Sequence, residues 1–439
     1  MNKHRTLSSE LKKNVGQQVV IQGWLHKKRL LGGLTFINIR DREGLVQVVL
    51  QDKKEVEKLR GLQIGTVLKA TGKVVGEERA PGGSELHDAS LEVLVPVIDE
   101  PPIEIDKPLG HKPENLETLF DNRAIGLRNL QERAAFEIKA TLCSAMRQYF
   151  DEHGFTEMHT PKLLAEATEG GAEVFTLNYF GKTATLAQSP QFYKQMMVGV
   201  FERVYEIAPV YRAELSATTR HMTEYVSIDA EMGFITLKDL EKFLGDFLRS
   251  AVDAVWDKHE TELKRWNAVK PVLPDEIPVL SMQEIHEKYS KANNENTVGE
   301  KDLRPDEERW ICEYAKKNLS SEAVFVSEWP ASEMKFYHKA NEANPEIADR
   351  VDLLFRGVEI TTGSMRENRY EVVVKQLKDL ANGDPSDPGF VPLLNAMKYG
   401  MPAHGGFGMG LERVMQKLIG FNNVREATLF PRDINRLAP

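Results

Sequence analysis

The sequence has no phosphate-binding loop of the form G-x-x-x-x-G-K-[ST], so a P-loop nucleotide site is excluded. It has only two cysteines, Cys143 and Cys312, without metal-site spacing, and we interpret both as reduced packing residues. No apolar run approaches membrane-spanning length, and the first residues, MNKHRTLSSELKK, lack the apolar core of a signal peptide. These absences predict a cytoplasmic protein with no membrane partner.

The chain as a whole also lacks an excess of basic charge. Its 57 Lys and Arg face 66 Asp and Glu, a net charge of −9, which argues against non-specific binding of nucleic acid. Residues 1–40 differ, because they hold eight Lys or Arg against one acid, Glu10. A local basic face on an acidic protein steers a polyanion to one place, although a solvated tail is the alternative.

At 439 residues, the chain is long enough for two or three domains. Short alternating runs fill residues 17–98, with turn residues such as Gly32 and Gly33 between them. About five strands in so short a stretch predict a small barrel such as an oligonucleotide-binding (OB) fold. The proline-rich stretch 99–113 predicts a linker.

Beyond the linker, apolar residues at helical spacing predict a long amphipathic helix that ends at Gly154. Strand-like runs dominate 155–234, and the highly charged residues 257–325 indicate an inserted helical module. The other predicted elements are helices at 191–200, 237–256 and 411–419 and strands at 323–328 and 351–362. We therefore predict an α+β fold with an OB barrel at 1–103, a hinge at 104–130 and a mixed antiparallel domain at 131–439.

Two arginines lie in settings that suit ATP phosphates. Arg212 lies in one strand-like run, 204–214, and a polar stretch separates this run from the next, 224–234. Arg413 ends the glycine-rich segment 405–413, which opens a helix. Guanidinium groups stay charged and bind phosphate oxygens in a fork, so the pair predicts an ATP site. Either arginine alone is more often a surface charge.

Together these features resemble the three signature motifs of class II aminoacyl-tRNA synthetases. The motifs are Pro161 after the long helix, the strand–loop–strand around Arg212, and GMGLER ending in Arg413. The barrel is similar to the anticodon-binding domain of the aspartate, asparagine and lysine subgroup. The runs QSPQFYKQ (188–195) and EITTGSMR (359–366) resemble the aspartyl enzymes, and the insertion length and the ending FPRDINRLAP resemble their archaeal type.

The resemblance implies ATP-dependent activation of L-aspartate and its transfer to tRNA(Asp). The substrate's own carboxylate attacks the α-phosphate of ATP, so the protein contributes positioning and charge rather than a nucleophile. By resemblance, Arg212 would bridge that carboxylate and the α-phosphate. Arg413 would hold the γ-phosphate end and lie against adenine.

The resemblance also assigns the loop after Arg212. Glu214 would accept a hydrogen bond from the adenine amino group, and Tyr225 would stack on the ring. Arg220 and His221 would reach the outer phosphates. Positions 215–217, Leu-Ser-Ala, depart from the archaeal-type pattern, which usually reads EH-N or similar.

Asp352 and Glu359 lie seven apart on one strand-like run and suit hard, oxygen-ligated Mg²⁺. A solvated strand edge is the alternative for two such acids. The family places a hydroxyl near the same ion, at the position of Thr362. The resemblance thus implies Mg²⁺ as the cofactor and Glu359 as part of the ATP site.

The resemblance further implies how aspartate is selected. Lys194 and Arg366 would face its side-chain carboxylate, and Asp229 would orient Lys194. The remaining aspartate-binding positions are Glu169, Ser189 and Gln191 for the α-amino group, together with Arg212 and Thr362.

In the barrel, the resemblance places Phe36 against an anticodon base and Arg29 and Gln47 beside it. Enzymes that charge both tRNA(Asp) and tRNA(Asn) tend to have His and Pro where this chain has His26 and Pro81. Enzymes that charge only tRNA(Asp) commonly have Trp and Lys there. Both positions therefore imply charging of tRNA(Asn) as well, and a functional link to a tRNA-dependent amidotransferase. Alternatively, Pro81 shapes a turn and His26 is a surface residue.

The motif-1 segment, about 132–161, implies a homodimer, although an amphipathic helix packs equally well inside one chain. Three other functions remain open: an aspartyl enzyme that charges tRNA(Asp) only, an asparaginyl enzyme, and a non-catalytic tRNA-binding paralogue. Degenerate copies lose the motif arginines, whereas this chain keeps Arg212 and Arg413.

Overall fold

The computed structural model describes residues 5–31, 34–109, 115–165, 174–216 and 218–439. Glu169, Ala217 and the predicted turn at Gly32 and Gly33 lie outside these ranges, as do residues 110–113 of the predicted linker. The chain divides into two compact units, 1–133 and 134–439. The finer boundaries at 103 and 130 stay predictions.

The first unit contains a closed five-stranded barrel, which confirms the predicted barrel fold. Its strands are β1 (Gln18–Leu31), β2 (Leu34–Arg40), β3 (Leu45–Leu50), β4 (Val67–Gly76) and β5 (Ser84–Val95), in the order β1-β2-β3-β5-β4. Alternate residues such as Ile21, Ile37 and Val48 are fully buried inside it. At Gly23, a Cβ would lie 2.2 Å from the Arg40 carbonyl oxygen, so this close approach of β1 and β2 requires glycine.

In the described part of this unit the α-helices that begin are α1 (Lys53–Lys58), α2 (Leu116–Asp121), α3 (Arg123–Gly126) and α4 (Leu130–Glu152). The predicted amphipathic helix corresponds to α4, which buries Ile138, Leu142 and Met146 completely. Its apolar face therefore lies in the core of the second unit.

The second unit has a large sheet in the order β12-β13-β16-β17-β18-β11-β10-β6. All neighbours in it pair antiparallel except β12–β13 and β10–β6, so the antiparallel prediction is confirmed. Its strands are β6 (Thr156–Glu157), β10 (Arg203–Tyr211), β11 (Glu224–Gly233), β12 (Val279–Ser281), β13 (Ala323–Ser327), β16 (Arg350–Phe355), β17 (Val358–Arg366) and β18 (His404–Gly410). Two small sheets are formed by β7 (Leu163–Leu164), β8 (Thr176–Tyr179) and β9 (Lys182–Leu186), and by β14 (Trp329–Pro330) and β15 (Ile347–Ala348).

Helices complete this unit: α5 (Gln191–Phe201), α6 (Leu237–Arg265), α7 (Met282–Asn293), α8 (Pro305–Asn318), α9 (Tyr370–Ala381), α10 (Val391–Lys398) and α11 (Leu411–Ile419). The main core joins α4, α6 and α11 to the sheet. Phe150 of α4 stacks on Tyr205 of β10 at a ring-centroid distance of 4.3 Å. Among the helices of the described ranges, none is long and apolar enough to cross a membrane.

Four local predictions differ from the structure. The run 351–362 is a hairpin rather than one strand, because Arg356 and Gly357 turn the chain with φ of 47° and 85°. The helix that begins at Leu237 extends to Arg265, nine residues beyond its predicted end at 256. The glycine-rich segment before Arg413 is the strand β18 and not only a helix start. In the predicted module 257–325, α7 and α8 are helical, but β12 joins the main sheet.

Candidate active site

A cavity of about 430 Å³ lies where β10, β11, β17 and β18 meet α5 and the loop after β10. Most of the predicted site residues line it. They are Ser189, Gln191, Lys194, Arg212, Glu214, Arg220, His221, Tyr225, Asp229, Glu359, Thr362, Arg366 and Arg413. Asp352 is not among the lining residues, and Glu169 lies outside the described part of the chain.

The two motif arginines stand on separate supports at this cavity. The Arg212 backbone N–H donates to the Thr223 carbonyl at 2.9 Å, which closes the strand–loop–strand segment. The Arg212 guanidinium lies 5.8 Å from the Tyr225 ring centroid, within reach of a cation–π contact. Arg413, in the first turn of α11, donates from Nη1 to the Glu359 carbonyl at 2.8 Å. Both cations are thereby held at the cavity wall.

Side chains of the loop after Arg212 form hydrogen bonds within the loop. The Glu214 carboxylate accepts hydrogen bonds from the Ser216 hydroxyl and from its backbone N–H, and the hydroxyl bond is the largest cause that lowers the pKa of Glu214. Thr218 Oγ1 lies 2.7 Å from His221 Nδ1, and burial lowers the pKa of His221. Leu215 is 78% exposed. At the departing positions 215–217, therefore, Ser216 engages the carboxylate that the resemblance assigns to adenine.

At the opposite end, Lys194 is buried with a 1% exposed side chain. Its Nζ donates to Asp229 Oδ1 at 2.9 Å and to the Phe407 carbonyl at 2.7 Å. Asp229 Oδ2 also accepts from the Ser227 hydroxyl at 2.5 Å. The geometry thus brings together the Lys194–Asp229 pair that the resemblance implies.

Glu231 is a site residue that the sequence reasoning missed. It is fully buried and binds Arg366 in a fork, with 2.7 Å to Nε and 3.2 Å to Nη2. Burial alone would raise its pKa, but the charges of Arg366 and Lys194 hold the pKa of Glu231 below its ordinary value. The sequence did contain a pattern that indicates Glu231. Ser227, Asp229 and Glu231 alternate along β11, and every second residue of a strand faces the same side of the sheet.

The glycines of β18 make room for these acids. Gly406 lies opposite Glu231 in the β11–β18 register, and a Cβ there would lie 2.1 Å from Glu231 Oε2. Gly408 lies opposite Asp229, where a Cβ would lie 3.3 Å from Asp229 Oδ1. The glycines of the third motif on β18 therefore leave space for the buried carboxylates of Asp229 and Glu231 on β11.

Other cavity residues that the sequence reasoning missed include Lys335, His338 and Arg350. His338 is buried, and desolvation together with the Arg366 charge lowers its pKa well below the ordinary value, so the ring is neutral. Its Nδ1 accepts from the Lys335 backbone N–H at 3.3 Å. These residues belong to or border the irregular segment 331–349, whose sequence has no periodicity that would have indicated a site.

The predicted metal ligands lie on the two paired strands β16 and β17. In the β16–β17 register, Asp352 lies opposite Thr362, and Thr362 Oγ1 donates to Glu359 Oε1 at 2.8 Å. Asp352 is engaged by Arg350, with 3.1 Å from Nε and 2.6 Å from Nη2, and burial raises the pKa of Asp352 to about 7. Within the described ranges, no group of three or more His, Cys, Asp or Glu side chains has metal-site geometry. The carboxylate oxygens of Glu359 and the Thr362 hydroxyl are nevertheless the hard donors that Mg²⁺ prefers.

In the barrel, strand pairing places three predicted anticodon residues on the outer face. Arg29 pairs with Phe36 across β1 and β2, and Gln47 on β3 pairs with Asn38, two residues along β2. His26 is 7% exposed, so it is not a surface residue. Pro81 begins a short 3₁₀ turn that continues through two glycines with positive φ, so a turn-shaping role is compatible with the structure.

A sequence profile described as tRNA synthetases class II (D, K and N) matches residues 115–434, and one described as OB-fold nucleic acid binding domain matches residues 19–99. The chain belongs to the class II tRNA synthetases. It is 42% identical to the aspartate–tRNA(Asp/Asn) ligase of Thermus thermophilus, with 99% of this chain and 100% of that protein covered.

Another class II relative is the aspartate–tRNA(Asp) ligase of Pyrococcus abyssi, which is 38% identical over 98% of this chain and 99% of that protein. Among solved structures, the asparaginyl-tRNA synthetase of Pyrococcus horikoshii complexed with asparaginyl-adenylate matches with a TM-score of 0.91 and 30% identity, covering 100% of both chains. The whole synthetase architecture is therefore shared with these proteins, while their named amino acids and tRNAs differ.

Proposed function

We propose that this synthetase is an aspartate–tRNA ligase that activates L-aspartate with ATP and charges both tRNA(Asp) and tRNA(Asn). The observation that carries the proposal is the buried pair of cations, Lys194 and Arg366, at one end of a cavity whose other end holds Arg212 and Arg413. The first pair suits a carboxylate side chain, and the second suits a polyphosphate. The names of the relatives from Thermus thermophilus and Pyrococcus abyssi support aspartate as the amino acid.

In the first step, an oxygen of the aspartate α-carboxylate attacks the α-phosphorus of ATP, and pyrophosphate leaves. Arg212 stabilises the charge that develops on the α-phosphoryl oxygens, and Arg413 holds the outer phosphates. In the second step, a terminal ribose hydroxyl of the tRNA attacks the activated carbonyl, and AMP leaves. Neither step needs a nucleophile from the protein, which fits a cavity built from cations and their acidic partners.

Mg²⁺ is the cofactor that this proposal requires. The side-chain oxygens of Glu359 and Thr362 would hold it, and the ion would neutralise phosphate charge when bound. Asp352, which forms a hydrogen bond with Thr362 and is bound by Arg350, would complete this set of ligands. Glu359 carries its negative charge at this position, because Arg413 and the Thr362 hydroxyl lower its pKa although burial opposes them.

Charge balance at the aspartate end supports the choice of amino acid. Asp229 and Glu231 compensate Lys194 and Arg366 in the free protein and hold both cations in place. A substrate carboxylate would gain from two cations that are already oriented, whereas the neutral amide of asparagine would gain much less. The site therefore favours aspartate.

We also propose the arrangement of the rest of the protein. The barrel, residues 1–103, would read the anticodon, and residues 131–439 would carry out both chemical steps. β6 lies at an edge of the main sheet, and edge strands favour contacts with another chain, which supports a homodimer formed through α4 and β6. Full activity from a species that light scattering shows to be monomeric would contradict the dimer.

The proposed tRNA range rests on His26 and Pro81 and on the relatives named for both tRNAs. The enzyme would work in the cytoplasm and supply Asp-tRNA(Asn) to a tRNA-dependent amidotransferase. Aspartylation of purified tRNA(Asp) and tRNA(Asn) tests this range. We expect both to be charged with efficiencies within about tenfold, or about 1.4 kcal/mol. A preference for tRNA(Asp) above about a hundredfold, or about 2.7 kcal/mol, would mean that the enzyme discriminates.

A further inference from the structure

An ion pair connects the loop after Arg212 to the helix α8. Arg220 Nη2 binds Glu308 Oε2, across 88 positions of sequence, and also donates to the Gly357 carbonyl at 3.1 Å. The two side chains are only 21% and 14% exposed. Arg220 lines the ATP end of the cavity, whereas Glu308 does not. The pair therefore joins a cavity residue to a support outside the cavity.

Glu308 stands on a firmly anchored helix. Glu307, its neighbour, is fully buried, accepts from the Arg304 backbone N–H at 3.0 Å and lies 2.9 Å from His286 Nδ1 of α7. Farther along α8, Ile311 and Cys312 pack in the core shared with β13 and β16. The start of α8 is thus fixed on both sides, and Glu308 takes its position from the helix.

The loop that carries Arg220 has weaker anchors. Its backbone is tied to the C-terminal segment by the Val424 N–H, which donates to the Thr219 carbonyl at 2.9 Å, and by the Thr223 N–H, which donates to the Arg432 carbonyl at 3.0 Å. A long arginine side chain on such a loop would otherwise sample many rotamers, and ordering it has an entropic cost. The pair with Glu308 removes that freedom before any ligand binds.

The pairing also leaves part of the guanidinium for a ligand. Both Glu308 and Gly357 are bound through Nη2, and the Nε and Nη1 groups of Arg220 make no hydrogen bond to the described residues. Arginine presents five donors in a rigid plane, so the protein can hold the two N–H groups of Nη2 while those of Nη1 bind an oxygen of a phosphate. Glu308 and ATP therefore need not compete for Arg220.

We propose that Glu308 is a positioning residue for ATP: its ion pair with Arg220 fixes the guanidinium so that the N–H groups of Nη1 are directed at the outer phosphates. This inference rests on the proposed function, because it takes the cavity to be an ATP site. It adds a contribution from α8, which itself touches no substrate. Burial raises the pKa of Glu308 and the Arg220 charge opposes that rise, as expected for a carboxylate whose counter-ion is this arginine.

A double-mutant cycle on the full-length protein tests the proposal. The variants are Glu308→Ala, Arg220→Ala and the two combined. ATP–pyrophosphate exchange is measured over a range of ATP concentrations at saturating aspartate, and over a range of aspartate concentrations at saturating ATP. We expect Glu308→Ala to raise the KM for ATP about tenfold, or about 1.4 kcal/mol. Its kcat and the KM for aspartate should stay within about twofold, because only an ATP contact is loosened. In the Arg220→Ala background, Glu308→Ala should change the KM for ATP no further.

Glu313→Ala is the matched control. Glu313 lies on the same helix, its side chain is 63% exposed, and its nearest ion-pair partner, Lys317, is 3.9 Å away. This variant should keep the KM for ATP of the unmodified protein. Glu308→Gln, which keeps an oxygen acceptor for Arg220, should fall between the unmodified protein and Glu308→Ala. It also provides a folded comparison if Glu308→Ala is unstable.

Three outcomes would overturn the proposal. A lower KM for ATP in Glu308→Ala would make Glu308 a competitor of ATP, and an equal rise in this KM with and without Arg220 would make Glu308 a structural residue. An unchanged KM for ATP in Arg220→Ala would remove the arginine from the ATP site. A failure of the proposed function has a different result, because the unmodified protein would then show no aspartate-dependent exchange. If another amino acid supports exchange, the same cycle is measured with that substrate.

Discussion

The two ends of the cavity differ in how far they are ordered before a ligand arrives. At the aspartate end, Lys194, Glu231 and Arg366 are at most 4% exposed, and each is held by charged or carbonyl partners. At the ATP end, Leu215 is 78% exposed, and Glu214 is bound by its near neighbour Ser216. The amino-acid end is thus preorganised, while the loop at the ATP end has contacts that the nucleotide must replace.

The difference in order follows from the secondary structure that carries each end of the cavity. The aspartate end is built on the paired strands β11, β17 and β18, in which backbone hydrogen bonds fix each side chain. The ATP end depends on a loop, and loops gain order mainly from a few side-chain contacts. We therefore expect substitutions at the aspartate end to have larger effects than substitutions within the loop, except at Arg212, which directly follows β10 and acts on the reacting phosphate.

The largest effect is expected for Arg212→Ala. Removing a charge that stabilises the developing phosphoryl oxygens should lower kcat for adenylate formation by about 10²–10³-fold or more. The fold should be retained, since Arg212 lies at the cavity wall rather than in the core. Pyrophosphate exchange together with circular dichroism measures both quantities. Exchange at a near-normal rate would remove Arg212 from the mechanism.

A second large effect is expected for Lys194→Leu. It should reduce aspartate activation by at least about a hundredfold while the KM for ATP changes little, because the lost cation faces only the amino acid. The variant also leaves Asp229 buried without its ion-pair partner, which costs about 3–5 kcal/mol of stability.

The double variant Lys194→Leu/Asp229→Asn separates these two effects. It should regain thermal stability but not aspartate activation. Regained activation in the double variant would show that Lys194 acts through stability alone.

An intermediate effect is expected for Glu231→Gln. The change keeps the volume but removes the charge that holds Arg366 in a fork, so the KM for aspartate should rise about tenfold. ATP binding should be unaffected, because Glu231 is not among the residues that line the cavity. Steady-state exchange at varied aspartate measures this effect. A rise in the KM for ATP instead would break the division between the two ends.

The smallest effect is expected for Ser216→Ala. Loss of the Ser216 hydroxyl releases Glu214, and a hydrogen bond at an exposed site contributes only about 0.5–1.5 kcal/mol. We expect the KM for ATP to fall by about threefold or less, with aspartate kinetics unchanged. A rise in the KM for ATP would mean that Ser216 orients the Glu214 carboxylate for ATP rather than competing with ATP for it.

The sequence predicted well what depends on period and motif. Alternation in residues 17–98 indicated the barrel, and helical spacing indicated α4, because these patterns follow directly from which face is buried. The motif resemblance brought Arg212, Lys194 and Arg413 to one cavity, although they lie on three different elements.

What the sequence did not indicate depended on contacts between distant segments. β18 was missed because glycine is unfavourable in strands, and its glycines are explained only by Glu231 and Asp229 on the neighbouring strand. The hairpin turn at Arg356 was missed because a non-glycine residue there has a positive φ. The pairing of Arg220 with Glu308 spans 88 positions, and no local pattern encodes it.

Amino-acid-dependent ATP–pyrophosphate exchange by the unmodified protein tests the central claim most directly. With aspartate, asparagine and lysine supplied separately at equal concentration, we predict rapid exchange with aspartate. Exchange with asparagine should be lower by at least about a hundredfold in kcat/KM, because a neutral amide gains little from Lys194 and Arg366. Equal exchange with aspartate and asparagine, or exchange with asparagine alone, would contradict the account.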